Sequence, residues 1–160
     1  MRRALVLALA VALAGCGFKM RGSATVPFDT VYIPDVTSGI KLDLKRNIQT
    51  GTNARVVDSP KGAQAILQFT HESRGKEIVS LTTAGRVREY QLQYRVGFQV
   101  HDGKGHQYVA PTTIQLSRDV TFDDAQVLAK ESEEQLLFRD MQNDMVQQIM
   151  RRLAAAQSAK

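Results

Sequence analysis

Tyr90-Gln91-Leu92-Gln93-Tyr94-Arg95-Val96-Gly97-Phe98-Gln99-Val100 alternates without a break between apolar side chains at even positions and polar or small ones at odd positions. A strict period of two marks a strand with one buried and one solvated face, so this segment is the expected central strand of a sheet open on one side. His101-Asp102-Gly103-Lys104-Gly105-His106 then reads as a turn, and Tyr108 to Ser117 as the returning antiparallel strand with Ile114 and Leu116 inward. Pro111 in that return has no N–H to donate and marks an edge or a bulge. Upstream, Asp58-Ser59-Pro60-Lys61-Gly62 is a turn, after which Leu67 and Phe69 share one face of an extended segment running towards Ser80.

Further out on the N-terminal side, Val31-Tyr32-Ile33 lies between Pro27 and Pro34 and predicts a short strand near an edge. Ile40, Leu44 and Ile48 recur every four residues, a helical stripe that Ser38 is placed to cap and Gly51 to end. Arg55-Val56-Val57 supplies a second short strand, so this strand, helix and strand predict a right-handed parallel crossover. On the C-terminal side the period changes to helical from Asp123 or Asp124 to about Leu153, with Thr121 or either aspartate as the cap. Leu137, Met141 and Met145 form one row of that helix, and Val146, Ile149, Met150 and Leu153 continue its apolar side. The fold class expected is an α/β (α+β) sandwich, two helices on one face of a mixed, mostly antiparallel sheet of four or five strands.

The first residues carry a different signal. Arg2 and Arg3, the apolar run Ala4 to Ala14, and small residues up to Leu13-Ala14-Gly15-Cys16 make a secretory signal. The run is too short to span a bilayer, which takes about 20 residues. The end of the run resembles the lipobox of bacterial lipoproteins, which implies cleavage after Gly15 and lipid on Cys16, the one cysteine of the chain. The expected parts are a signal peptide at 1–15, a lipidated lead-in at 16–26, one domain at 27–154 and a frayed tail at 155–160. Loss of Arg2 and Arg3 leaves a mature balance near +3, mildly basic. For a secreted lipoprotein that favours anionic lipid or glycolipid over nucleic acid. Gly17, where lipoproteins retained in the inner membrane typically carry Asp, points by the same resemblance to the outer membrane, with the chain facing the periplasm and its anchor in the inner leaflet.

Catalytic patterns are not found. His101 and His106 flank a turn without further ligands at zinc spacing, so no metal is expected. The chain holds no Gly-x-Ser-x-Gly elbow, and Gly103 and Gly105 open no helix as a phosphate loop requires. Paired acids such as Glu133-Glu134 read as solvated charge. No enzyme and no cofactor beyond the covalent lipid are expected.

Cys16-Gly17-Phe18-Lys19-Met20-Arg21-Gly22, Glu89-Tyr90-Gln91-Leu92, Leu128-Ala129-Lys130-Glu131-Ser132-Glu133-Glu134 and Gln148-Ile149-Met150-Arg151-Arg152-Leu153 together resemble the LptE family of lipopolysaccharide-assembly lipoproteins. The resemblance implies a non-enzymatic outer-membrane subunit, paired as a heterodimer with the barrel LptD, which it plugs and helps assemble, delivering lipopolysaccharide to the outer leaflet. An envelope-binding or scaffolding lipoprotein with no lipopolysaccharide role suits the anchor and fold equally well. The family's lysine implicated in lipopolysaccharide binding corresponds to Lys130; its arginine falls near Thr83, a departure, with Arg86 and Arg88 close by and Arg118 a further candidate unless a surface salt bridge engages it. Lys130 near a helix start is disfavoured by roughly 0.3–1 kcal/mol relative to a favourable placement. Glu134 at i+4 is a candidate to compensate, by at most about 0.2–0.5 kcal/mol.

Overall fold

Leu92, Tyr94, Val96, Phe98 and Val100, the even-numbered row of the alternating segment, are fully buried, and the rest of the molecule is arranged to cover them. The computed structural model describes residues 24–37 and 39–156. Among these the elements run β1 (Thr30–Tyr32), α1 (Gly39–Gly51), β2 (Arg55–Val57), β3 (Ala65–Leu81), β4 (Val87–His101), β5 (Gln107–Thr121), a 3-10 turn (Asp124–Gln126) and α2 (Val127–Ala154). The signal, Cys16, most of the lead-in and the end of the tail lie outside the described residues, as does Ser38, the expected cap of α1.

The five strands are ordered β2-β1-β3-β4-β5, with β1 parallel to both β2 and β3 and the three long strands antiparallel. This bears out the mixed, mostly antiparallel sheet. The segment expected to be central is β4, paired on both sides but fourth in order, and β3 is the middle strand. Alternation records which face is buried, not how many neighbours lie on each side. Moreover β1 meets β3 only at Val31↔Ala65 and Tyr32↔Ile66, so the sheet has five strands at one end and three at the other.

Both helices lie on one face. Ile40, Leu44 and Ile48 bury the stripe of α1, and Met141, Met145, Val146, Ile149 and Leu153 bury that of α2. The helices are joined by side-chain hydrogen bonds from Gln142 to Asp43 and from Gln147 to Asn47. The N-terminal half of α2 extends past α1, where Leu128 and Leu136 stay exposed. Capping differs in part from expectation. Asp123 accepts from the N–H of Ala125 at 2.9 Å and so caps the 3-10 turn, whereas Gln126, at the start of α2, makes no capping side-chain bond to the helix. Thr121 serves a lysine instead, as described below.

Several shifts of register shape the sheet, among them one at Pro111 and one opposite Gly97. Phe98 pairs with Thr112 and Val100 with Val109, so Ala110 and Pro111 together stand opposite Gln99. Pro111 thus sits at a bulge on an edge strand, where a missing N–H is tolerated. A second register shift lies between Phe69 and His71, opposite Gly97.

Candidate functional site

The long strands give the molecule two ends. At one, Ala24 bridges Thr52 just after α1, close to the start of β2 and β3 and to the β4–β5 turn. At the other, β3 turns into β4 and β5 leads into α2. The 17 residues of β3 separate these ends by about 55 Å at roughly 3.3 Å per residue.

The distal end gathers three of the four sequence-predicted cations. The N–H of Thr82 donates to the carbonyl of Arg86 at 2.7 Å and the N–H of Arg86 to Oγ1 of Thr82 at 3.1 Å, closing a turn in which Gly85 adopts φ 74°. The left-handed backbone there suits a glycine. Arg88 follows on β4, its carbonyl accepting from the N–H of Phe122 at 2.8 Å, and the Phe122 ring packs edge-on against Tyr90. Nζ of Lys130 donates to Glu133 at 2.8 Å and to Oγ1 of Thr121 at 3.3 Å, and Thr121 is the register partner of Glu89. Lys130 is therefore compensated at i+3 by Glu133. Glu134, the expected partner, bonds Lys76 of β3 instead. Arg118 stands apart from the tip. Its guanidinium reaches Asp144 of α2 at 2.8 Å and its own neighbour's carbonyl, Ser117, at 3.0 Å, so a surface salt bridge engages it.

Two cations not singled out from the sequence, Arg74 and Lys76, line the helix-side flank of β3. Arg74 stacks 4.8 Å over the Tyr94 ring and hydrogen-bonds Gln142, and Lys76 lies 4.2 Å over the Tyr90 ring. Their signal was the spacing of two that places Glu72, Arg74, Lys76 and Ile78 opposite Val96, Tyr94, Leu92 and Tyr90. Beneath Arg74, the Tyr94 hydroxyl donates to Glu72 at 2.7 Å, and burial first, then that carboxylate, push its pKa above the ordinary value.

The opposite sheet face is uncovered and rich in amides. Gln99 donates to Gln68 at 2.8 Å, Gln93 to Glu77 at 2.8 Å, Gln91 to Asp119 at 2.9 Å and Arg95 to Gln93 at 2.7 Å. At the proximal turn, Nδ1 of His101 accepts from the N–H of Gly103, and His106 packs edge-on against Tyr108 at 4.8 Å. Among the described residues no three His, Cys, Asp or Glu side chains are placed to hold a metal ion, and no helix is long and apolar enough to cross a membrane.

The described residues thus form a two-layer α+β sandwich with one polar sheet face left open and three of the candidate cations, Arg86, Arg88 and Lys130, at one end. The family described as "LptE: Lipopolysaccharide-assembly" matches residues 28–153, and the chain belongs to that family. It is 31% identical to "LPS-assembly lipoprotein LptE" of Yersinia enterocolitica, over 98% of this chain and 77% of that one. It is 26% identical to the protein of the same name from Photorhabdus laumondii, over 98% and 87%. Among solved structures it is similar to an "uncharacterized lipoprotein B" from Nitrosomonas europaea, with 44% identity, TM-score 0.74, and 87% and 91% coverage. The rare lipoprotein B of Shewanella oneidensis, at 24% identity and TM-score 0.68 over 79% and 95%, shares the fold. The family resemblance read from the four sequence blocks is thereby borne out.

Proposed function

We propose that this chain is an outer-membrane lipoprotein, lipidated on Cys16 and facing the periplasm, that plugs the LptD barrel and helps deliver lipopolysaccharide to the outer leaflet. The observation that carries the reading is the uncovered amide face of β3, β4 and β5. Barrel lumens are polar, and a sheet whose outer row is Gln68, Gln91, Gln93, Gln99 and Arg95 enters one without burying unmatched apolar surface. The distance between the two ends supports it further. Ala24, which follows Cys16 closely in the sequence, lies at the end opposite Arg86, Arg88 and Lys130. A bilayer with its headgroups is about 40–45 Å thick. A domain of about 55 Å, tethered in the inner leaflet and seated in a barrel, therefore presents its cationic tip at the depth of the outer leaflet. There Arg86 and Arg88 offer planar forks to lipid A phosphates, and Lys130 a point charge.

Two measurements test the reading. Gentle solubilisation of membranes should recover the chain with LptD, and recovery free of any barrel counts against it. The chain lacking its anchor should bind lipopolysaccharide in a salt-sensitive way. A folded Lys130→Asp, Arg86→Asp double variant should bind it at least several-fold more weakly. Equal binding removes these residues from the site.

A further inference from the structure

Beyond Ile66, no strand among the described residues pairs with the outer edge of β3. The run from His71 to Ile78 is regular, lying between the register shift at Phe69/His71 and that at Ile78/Ser80. It therefore presents a row of backbone N–H and C=O groups to the outside. Edges of this kind pair readily with another chain and are commonly blunted by proline, by shortness or by charges directed across them. Of the other edges, β2 has three residues, and β5 carries Pro111 at a bulge with a regular run from Thr112 to Thr121 beyond it. The run in β3 has no proline, and its charges are turned over the sheet. Glu72 bonds Tyr94, Arg74 bonds Gln142 and Lys76 bonds Glu134. Gly75 offers a gap in the other row, since a Cβ there meets nothing within 4 Å. At the end of the run and just past it, Ile78, Val79 and Leu81 are 58, 56 and 55% exposed, an aliphatic stretch that solvent does not favour on a free edge.

We infer that the outer edge of β3, from His71 to Ile78, is a strand-addition site for an extended segment of the barrel partner. This rests on the barrel-plug reading above. The segment's main chain would extend the sheet to four strands at the distal end, with acidic or hydroxyl side chains beside Arg74 and Lys76 and an aliphatic one beside Ile78. A second copy of this chain, added to a continuous sheet with its helices on the same side, sets Arg74 against Lys76 in one of the two registers that overlap most of the run, and like charges directly opposed are destabilising. In the other register Arg74 meets Arg74 while Lys76 meets Glu72, so self-pairing is an outcome that crosslinking separates.

The test uses the full lipoprotein in complex with LptD, carrying a photo-crosslinking amino acid at position 73, 75 or 77 in turn. Strand addition expects the three positions to attach to one contiguous stretch of LptD, at residues stepping by about two. It also expects alternate amides between His71 and Ile78 to exchange hydrogen at least tenfold more slowly in the complex than in the isolated chain, with smaller changes along the outer edge of β5. Crosslinks scattered over the barrel wall, or uniform slowing at both edges, overturn the inference while leaving the plug intact. Attachment to a second copy of this chain overturns it in favour of self-pairing. Failure to recover any barrel complex overturns the plug reading and this inference with it.

Discussion

Nζ of Lys130 lies 2.8 Å from Oε2 of Glu133, so the lysine proposed to meet lipid phosphate is already held by a carboxylate one turn along α2. A partly exposed pair of this kind contributes about 0–1 kcal/mol to stability. It competes directly with any anion that needs the same ammonium. Glu133→Gln should therefore leave the thermal midpoint almost unchanged and strengthen lipopolysaccharide binding by about twofold, whereas Lys130→Ala should weaken it. Titrating both variants of the anchor-free chain against lipopolysaccharide at low salt checks this. Weaker binding by Glu133→Gln removes the competition.

A methyl group at Gly97 would lie 2.6 Å from Oγ1 of Thr70, 3.4 Å from Cβ of His71 and 3.5 Å from Oγ1 of Thr113. Gly97 lies opposite the shift in register between Phe69 and His71, which draws β3 close on the polar face. Gly97→Ala should lower stability by about 1–3 kcal/mol, the usual range for overpacking. Because the nearest atom is the end of a side chain, Thr70→Ala should recover most of that loss in the double variant. Denaturant midpoints of the four proteins form the cycle. A double variant no more stable than Gly97→Ala would assign the strain to the backbone at His71 instead.

Periodicity was legible wherever burial was one-sided. The rows Leu92 to Val100 and Ile40, Leu44, Ile48 appear in the core at the positions their spacing required. Strand order was not legible, since two short parallel strands and a long edge leave no trace in alternation. Electrostatic partners were legible only locally. Lys130 has two acidic neighbours on its own helix, and the choice between them falls to Glu133 because Lys76, 58 residues from Glu134, claims the other. Arg74 and Lys76 escaped notice because their segment looks polar throughout; only pairing with Tyr94 and Leu92 shows that they ride over the edge of the core.

Tyr94 is buried with its hydroxyl on Glu72, and both effects favour the protonated phenol. With the folded pKa raised, this contribution to stability is complete below the unfolded value, about 10. It is lost as pH rises through the folded one. Tyr94→Phe should cost about 0.5–1.5 kcal/mol at neutral pH, the usual net worth of one hydrogen bond. It should also remove part of the stability loss that the parent shows above about pH 10. Thermal midpoints measured from neutral to strongly alkaline pH separate the two. Parallel curves for the two proteins would rule out the titration of Tyr94 as a source of alkaline unfolding.

The β4–β5 turn is held by the carboxylate of Asp102. Oδ1 of Asp102 accepts from the N–H of Lys104 at 2.7 Å and from that of His106 at 3.0 Å. The bond from Lys104 foremost, then that from His106 and the charge on its ring, hold the carboxyl below its ordinary pKa. A depressed folded pKa contributes stability above the unfolded value, about 3.9, and that stability is lost as pH falls through the folded one. The amide resonances of Lys104 and His106 should therefore move together with a shared midpoint below 3.9. Asp102→Asn keeps an acceptor oxygen and forfeits the charge. It should hold the same turn at every pH while abolishing that midpoint, with the core amides of Val100 and Ile114 unmoved. A midpoint at or above the ordinary carboxylate value, or one that persists in Asp102→Asn, would assign the titration to another group.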